Sequence, residues 1–252
     1  MVERHEPPVR GVSVREDTCV FADVSSPYEA SRAARSDLGS GLRDVEVERA
    51  WVSPLEALWS GTDLPGANAR LRKWGRVPGV STRPVPIVGL GVPLQDSLGA
   101  AWSHDVLVQR VSTVRVVPGP SPDVVDGVLA LADECVGHGL GLIVQARVSD
   151  PRCMSPDVTP VDLDPGLIVD LAQRVSGSTV FAGLREAESR AVLRLLKPNV
   201  YVETSHLDTP DALPRLVAEW GSARILFGTH APLFPPLVAA WRVRAANARL
   251  AL

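Results

Sequence analysis

The fold is decided by Arg224-Ile225-Leu226-Phe227-Gly228-Thr229-His230-Ala231-Pro232-Leu233-Phe234-Pro235-Pro236. In this stretch an apolar run is followed by a glycine, then by the polar pair Thr229-His230 and then by a proline. This order is typical of a buried strand and the turn that ends it. In α/β folds the ligand sites collect at the carboxyl ends of the parallel strands, so the pattern predicts that His230 lies at a functional surface. A histidine that only packs or hydrogen-bonds in a tight turn is the alternative, and the residues leave both open.

Seven further strands are predicted upstream. Each is a short run rich in Val, Ile and Leu that precedes a helix or a helical turn, as expected for strands covered on both faces. With the opening stretch, the predicted strands cover residues 18–24, 49–53, 85–91, 114–117, 141–147, 179–184, 200–204 and 224–228. Eight such units predict a single-domain α/β fold of the (β/α)8 TIM-barrel type, with a doubly wound open sheet as the alternative. The predicted division is an N-terminal arm over residues 1–17 and the barrel over residues 18–252.

Prolines mark several boundaries of these predicted elements. Pro86 lies inside the third predicted strand, where it cannot donate a ladder hydrogen bond. Ser121-Pro122 and Asp164-Pro165 each combine a capping residue with a proline at the first helical position, so each predicts the start of a helix.

Composition limits the class of partner. The chain of 252 residues is 45% hydrophobic and 22% charged, with a net charge of −3, so it can bury a full core and has no basic surface for nucleic acid or an anionic membrane. Three separated cysteines match no zinc spacing, and no apolar run approaches the length of a membrane span or a signal peptide. We expect a soluble, cytoplasmic protein that binds a small-molecule substrate, a protein partner or further copies of itself.

A set of stretches in the last third resembles a known family. They are Asn199-Val200-Tyr201-Val202-Glu203-Thr204-Ser205, Gly221, Arg224–Pro232 and Asn247-Ala248-Arg249-Leu250. These look like the end of the amidohydrolase-related family, whose members are metal-dependent hydrolases and decarboxylases with a TIM barrel. The resemblance is strong over about the last sixty residues, weaker back to Thr18 and absent from the N-terminal arm.

The resemblance implies a metal centre whose ligands are replaced here. In the family the first strand ends in His-x-His, the fifth and sixth strands each end in a histidine, and the eighth ends in an aspartate. At the matching positions this chain has Ala22-Asp23-Val24, Gln145, Ala182-Gly183-Leu184 and His230. A hydrolytic zinc needs about three protein ligands, so we expect no metal and no other cofactor. An atypical single divalent ion held by Asp23, His206 and His230 is the alternative.

Two residues are candidates for the chemistry. His230 replaces the family's aspartate base, and an imidazole can serve as a general base without a metal because its reference pKa lies near neutrality. Asp23, at the end of the first predicted strand, is a candidate base or substrate anchor, with a capping role in the next turn as the alternative.

Four residues are candidates for substrate binding. Arg115 can hold a carboxylate through two parallel hydrogen bonds, or can pair with a barrel carboxylate such as Glu203. Glu203 is expensive to bury without a partner, and Gln145 offers an amide that both donates and accepts. His206 follows the seventh strand, either over the pocket or exposed at the approach to a helix.

Two functions from different classes remain open at this stage. The first is an amidohydrolase-type enzyme that hydrolyses a small carboxylated ester, lactone or amide without the usual metal, with His230 as base and Arg115 on the substrate carboxylate. The second is a catalytically degenerate barrel that serves as a binding or scaffold subunit. A Cys153 nucleophile in the long fifth loop has no supporting Cys/His signature. The sequence also contains no nucleotide-binding loop and no serine-hydrolase elbow.

Overall fold

The computed structural model describes residues 12–22, 38–58, 63–73, 79–102, 111–119, 121–148 and 162–250. The described strands are β1 (Glu16–Ala22), β2 (Arg49–Pro54), β3 (Ser81–Pro84), β4 (Ile87–Val88), β5 (Thr113–Val116), β6 (Gly141–Gln145), β7 (Thr179–Ala182), β8 (Val200–Glu203) and β9 (Ile225–Leu226). The described α-helices are α1 (Leu38–Asp44), α2 (Leu64–Lys73), α3 (Leu94–Leu98), α4 (Val124–Gly137), α5 (Pro165–Arg174), α6 (Glu186–Arg194), α7 (Ala212–Trp220) and α8 (Pro236–Leu250). None of these helices has both the length and the apolar composition that crossing a membrane requires.

The strands form two parallel sheets in strict chain order, β1-β2-β3 and β4 to β9. Backbone hydrogen bonds join the two sheets at both edges. Between β3 and β4, Val85 donates to the Val52 carbonyl and Arg115 donates to the Pro86 carbonyl, so β3 and β4 are two parts of one barrel strand. Residues beyond β9 pair with β1, because His230 donates its backbone N–H to the Cys19 carbonyl. The predicted single-domain (β/α)8 barrel is confirmed.

The outer face of the strands packs against the helices. Side chains such as Val114 and Val202 point outward into the main apolar core, which also receives the buried stripe of each major helix. In α7 this stripe consists of Leu213, Leu216 and Val217, the i, i+3, i+4 spacing of a helix with one buried face. The strands β5 to β8 are accordingly buried along almost their whole length, whereas β3 alternates between exposed and half-buried residues.

The inner face changes from apolar to polar along the strands. Ile143, Val180 and Tyr201 form an apolar cluster inside the barrel. Two residues further along β6 and β8, on the same face, stand Gln145 and Glu203. Two strand residues span about 6.6 Å along the barrel axis, so a polar layer lies above an apolar plug, on the side of the strand carboxyl ends.

Some predicted boundaries agree with the structure and others differ from it. The start predicted at Asp164-Pro165 is confirmed, since Asp164 caps α5 by accepting from the Gly166 N–H at 2.7 Å. The start predicted at Ser121-Pro122 is wrong, because α4 begins at Val124 after a turn. The position of the helix α3, which follows the third barrel strand, was not predicted. β1 begins at Glu16, so the last residues of the predicted arm already belong to the barrel.

The broken third strand depends on one buried amide. Asn68 on α2 is fully buried, and its Oδ1 accepts from the Ile87 N–H at 3.0 Å. Its Nδ2 donates to the Ile87 carbonyl at 2.8 Å and to the Ser97 carbonyl at 3.0 Å. The side chain thus supplies hydrogen bonds to Ile87 beyond the point where β2 ends at Pro54.

We predict that Asn68→Leu destabilises the fold. The change leaves buried backbone groups of Ile87 and Ser97 without partners, so the free energy of unfolding should fall by about 2–4 kcal/mol, since each such group costs about 1–3 kcal/mol. Asn199→Leu is the matched control, because Asn199 makes two similar bonds to the carbonyls of Ser176 and Gly177 but is only half-buried. Its loss should stay under about 1 kcal/mol, since water replaces the amide. Urea unfolding of both variants checks this, and equal losses would contradict it.

Candidate functional site

The predicted site residues meet at the carboxyl ends of the strands. Arg115 lies on β5, Gln145 on β6 and Glu203 on β8, while His206 and His230 follow β8 and β9. We call these five residues the mouth cluster. All of them except His206 are buried. Direct contacts join them, either to one another or through Cys19 and Ser205.

Arg115 is held inside the barrel by neutral partners. Its Nη1 donates to Gln145 Oε1 at 2.7 Å, its Nη2 donates to the Thr18 carbonyl at 3.2 Å, and its guanidinium carbon lies 4.5 Å from the centre of the Phe21 ring. No ion pair joins it to Glu203 among the described residues, although its charge acts on that carboxylate. Its Nε–H is buried, and no group in the described part of the chain accepts from it. One donor of this guanidinium is therefore unused.

Glu203 sits in a cradle of hydrogen-bond donors. Its Oε1 accepts from the Gly183 N–H at 2.7 Å and from the Ser205 hydroxyl at 2.6 Å, and its Oε2 accepts from the Ser205 N–H at 2.8 Å. Burial raises the pKa of Glu203 above its ordinary value, and the bonds from Ser205 and Gly183 oppose that rise. A Cβ at Gly228 would lie 1.9 Å from Oε2, so only glycine leaves room for the carboxylate there.

His230 is buried and has partners at both ring nitrogens. Its Nε2 contacts the Val148 carbonyl, and its Nδ1 lies 3.3 Å from the Cys19 sulfur. A carbonyl can only accept, so Nε2 carries the proton and the Nδ1 lone pair faces the thiol. Burial, with the neighbouring His206 as a second cause, lowers the pKa of His230 well below its ordinary value. The ring is therefore neutral, and it must break one of these contacts to act as a base.

His206 is the half-buried member of the mouth cluster. Its Nδ1 lies 2.8 Å from the Ser205 hydroxyl oxygen. Its ring meets that of His230 edge-on at 4.7 Å between centroids and lies 5.0 Å from the ring of Phe234. Of the two imidazoles, it is the less buried one, although its Nε2 atom is itself buried.

Sequence reasoning missed two interior residues of β1. Cys19 links Arg115 to His230, and burial raises the pKa of its thiol to about 12. Asp17 accepts from the Thr229 hydroxyl at 2.6 Å, and burial raises the pKa of its carboxyl to about 7. The alternation of Cys19 and Phe21 was the available signal, since period-two spacing places both on one face. A register irregularity between Asp17 and Val20 takes Asp17 out of this alternation. The predicted strand began at residue 18, which left Asp17 out.

Arg147 was also missed, and its contacts are structural. Its guanidinium donates to both carboxylate oxygens of Glu188, at 3.1 and 3.0 Å, and to the Gly183 carbonyl at 2.6 Å. A further ion pair at 2.5 Å reaches Asp162. Arg147 therefore ties the end of β6 to the start of α6 and supports the loop that carries Gly183.

The remaining predicted site residues lie outside the described part of the chain. Asp23 and Cys153 both fall there, so their roles stay predictions. Within the described ranges, no group of three or more His, Cys, Asp or Glu side chains is arranged to hold a metal ion. The Gln145 amide is bonded to the Arg115 guanidinium and to the Arg147 carbonyl.

Comparison with solved structures identifies enzymes of the same fold. The 5-carboxyvanillate decarboxylase of Sphingomonas paucimobilis superposes with a TM-score of 0.62 at 13% identity, covering 93% of each chain. A candidate amidohydrolase from Staphylococcus aureus gives 0.60 at 10% identity, covering 90% of this chain and 91% of that one. The 5-carboxyvanillate decarboxylase of Novosphingobium aromaticivorans, with bound manganese and 3-methoxy-4-hydroxy-5-nitrobenzoic acid, gives 0.57 at 13% identity, covering 93% and 90%. No family model and no curated protein sequence matches the chain. At these identities the likeness is one of fold.

We predict that Asp17 makes the stability of the protein depend on pH. Its carboxyl ionises at about 7 when folded, against an ordinary value of 3.8, so between these values the folded state keeps a proton that the unfolded state has lost. The contribution of Asp17 to the free energy of unfolding therefore falls as the pH rises from about 4 to about 7. Asp17→Asn removes this term, and the stability of the variant relative to wild type should rise across that window by at most about 4 kcal/mol. Urea unfolding at a series of pH values measures this, and a constant difference would contradict it.

Proposed function

We propose that this protein is an amidohydrolase-type enzyme that acts on a small carboxylated molecule at the mouth of its barrel. The observation that carries the proposal is the convergence of the mouth cluster, from four different strands, on the one end of a parallel barrel where such folds place their chemistry. Two of the structurally similar enzymes are decarboxylases of a carboxylated aromatic compound, and another is a candidate amidohydrolase. Small carboxylated esters, lactones and amides are the proposed substrates.

The proposed reaction proceeds without the metal centre of the amidohydrolase-related family. The donor set of the mouth cluster supports this, because a cationic guanidinium and a neutral amide occupy its centre. The Nε2 of His230 is already engaged by a backbone carbonyl, and its Nδ1 faces a thiol whose pKa is raised. A divalent cation favours anionic or lone-pair donors pointing at one open position, and these residues do not present them.

Arg115 is the proposed partner of the substrate carboxylate. It is the only cationic side chain in the mouth cluster, and its Nε–H keeps a donor that no described group uses. Its burial raises the strength of any interaction with an anion, since the surroundings screen charge poorly. A carboxylate reaches it by displacing one of the neutral groups now bonded to the guanidinium, of which the Gln145 amide is the closest at 2.7 Å.

The imidazole pair of His206 and His230 is the proposed source of acid–base chemistry. The rings are in edge-on contact, and one of them is half-buried at the mouth. An imidazole that reaches the surface can exchange a proton with a substrate, whereas the neutral ring behind it can hold its orientation.

We predict that metal-free protein turns over at least one member of a panel of carboxylated esters, lactones and amides, with aromatic carboxylic acids included to detect decarboxylation. Replacing both imidazoles, in His206→Gln with His230→Gln, should lower kcat/KM by about 10²–10⁴-fold, the usual loss of a general base. His138→Gln is the matched control, because His138 caps the far end of α4 at the opposite end of the barrel, and it should keep full activity.

Thermal melts of each variant separate loss of chemistry from loss of fold. Activity that appears only with stoichiometric added metal would overturn the metal-free mechanism. A wild-type protein that binds panel members but turns none over would instead identify the barrel as a binding or scaffold subunit.

A further inference from the structure

A continuous chain of hydrogen bonds leads from the buried interior to the barrel mouth. Glu203 Oε1 lies 2.6 Å from the Ser205 hydroxyl oxygen, and that oxygen lies 2.8 Å from His206 Nδ1. The first group is fully buried, the second is buried, and the third is half-buried. The chain thus runs from a carboxylate through a hydroxyl to an imidazole, and the carboxylate is its most buried member.

The chemistry of these groups determines where the protons are. While Glu203 is ionised its oxygens can only accept, so in that state the single hydroxyl proton of Ser205 points to Glu203. The hydroxyl oxygen then has only lone pairs to offer to His206, so Nδ1 must carry a proton and donate it. The basic nitrogen of His206 is consequently Nε2, which is buried on the side of the ring away from Ser205.

We propose that Glu203, Ser205 and His206 form a proton relay that makes His206 the general base of the site. The inference rests on the proposed function. His206 Nε2 takes a proton from the substrate while its Nδ1 proton passes to the Ser205 oxygen and the Ser205 hydroxyl proton passes to Glu203 Oε1. The imidazole ends neutral, with its proton on Nε2, Ser205 regains a hydroxyl, and Glu203 ends as a carboxylic acid. The reverse sequence returns the proton to the product.

The surroundings hold the relay in one geometry. The N–H groups of Gly183 and Ser205 fix both oxygens of Glu203, and the absence of a side chain at Gly228 leaves room for Oε2. The rings of His230 and Phe234 flank the ring of His206. The ring of His230, which is neutral, is in edge-on contact with His206, and Glu203 reaches His206 through the Ser205 hydroxyl.

The relay also explains why a carboxylate is buried here. Three donors satisfy the Glu203 carboxylate. The further bond between the Ser205 hydroxyl and the His206 ring is not needed for that purpose. Burial favours the protonated form of Glu203, which is the form in which the relay ends. His206 can then accept a proton without creating a cation beside the apolar rings around it.

The test combines the tautomer of His206 with kinetics. Ring ¹⁵N chemical shifts of the wild-type protein, measured above the pH at which His206 loses its extra proton and Glu203 ionises, should show the Nδ1–H form of His206, and this needs no substrate. Ser205→Ala should increase the Nε2–H form and lower kcat by about 10–100-fold with little change in KM, the pattern of a lost transition-state interaction. Ser189→Ala is the matched control, because Ser189 is a buried serine whose hydroxyl has no partner, and it should change neither readout.

The two readouts separate failure of the relay from failure of the proposed function. A wild-type His206 in the Nε2–H form overturns the relay even if the enzyme is active, and so does a Ser205→Ala protein with unchanged tautomer and kcat. The wild-type tautomer decides the case if Ser205→Ala does not fold. An Nδ1–H tautomer in a protein without turnover supports the hydrogen-bond chain and overturns only its use in catalysis.

Discussion

The backbone pairing between the first and last strands is the contact on which the rest of the structure depends. His230 donates to the Cys19 carbonyl, and Phe21 donates to the Ala231 carbonyl, across a separation of about two hundred residues in the chain. This pairing removes both free sheet edges and turns an open sheet into a closed barrel. It also places the side chains of Cys19 and His230 within 3.3 Å of each other, so that closing the fold and assembling the site are one event.

Closure encloses charged groups that would otherwise be hydrated. A buried carboxylate or guanidinium is tolerated only when hydrogen bonds replace its water, and the barrel provides them from backbone as well as side chains. Gly183 is one of these backbone donors, since its N–H bonds to Glu203. Its φ is +79°, and a Cβ there would lie 2.5 Å from the Arg147 carbonyl, so both the conformation and the space require glycine. The apolar plug beneath and the polar layer above are thus two consequences of the same pleated strands.

The two mouth histidines illustrate how burial divides similar residues between roles. His230 has lost its water, has both ring nitrogens engaged and is held neutral. His206, whose ring lies 4.7 Å away, keeps contact with the surface and receives its orientation from a serine that is itself bonded to a buried carboxylate. His230 can therefore hold a fixed position while His206 exchanges protons. The division arises from a difference in depth rather than in residue type.

The sequence by itself determined the number and order of the strands, because short Val- and Ile-rich runs ending at Gly or Pro are local signals of strands covered on both faces. It also determined that Arg115, Gln145, Glu203 and His230 share one end, since strand ends in a parallel barrel coincide. It did not determine the depth of His230, the hydrogen-bond partners of Arg115 or the roles of Asp17 and Cys19. Those depend on the register between β1 and the residues after β9, which lie far apart in the chain, and no local pattern encodes that register. Only the closed barrel decided which of these polar groups meet, and burial then decided which of them keep a charge.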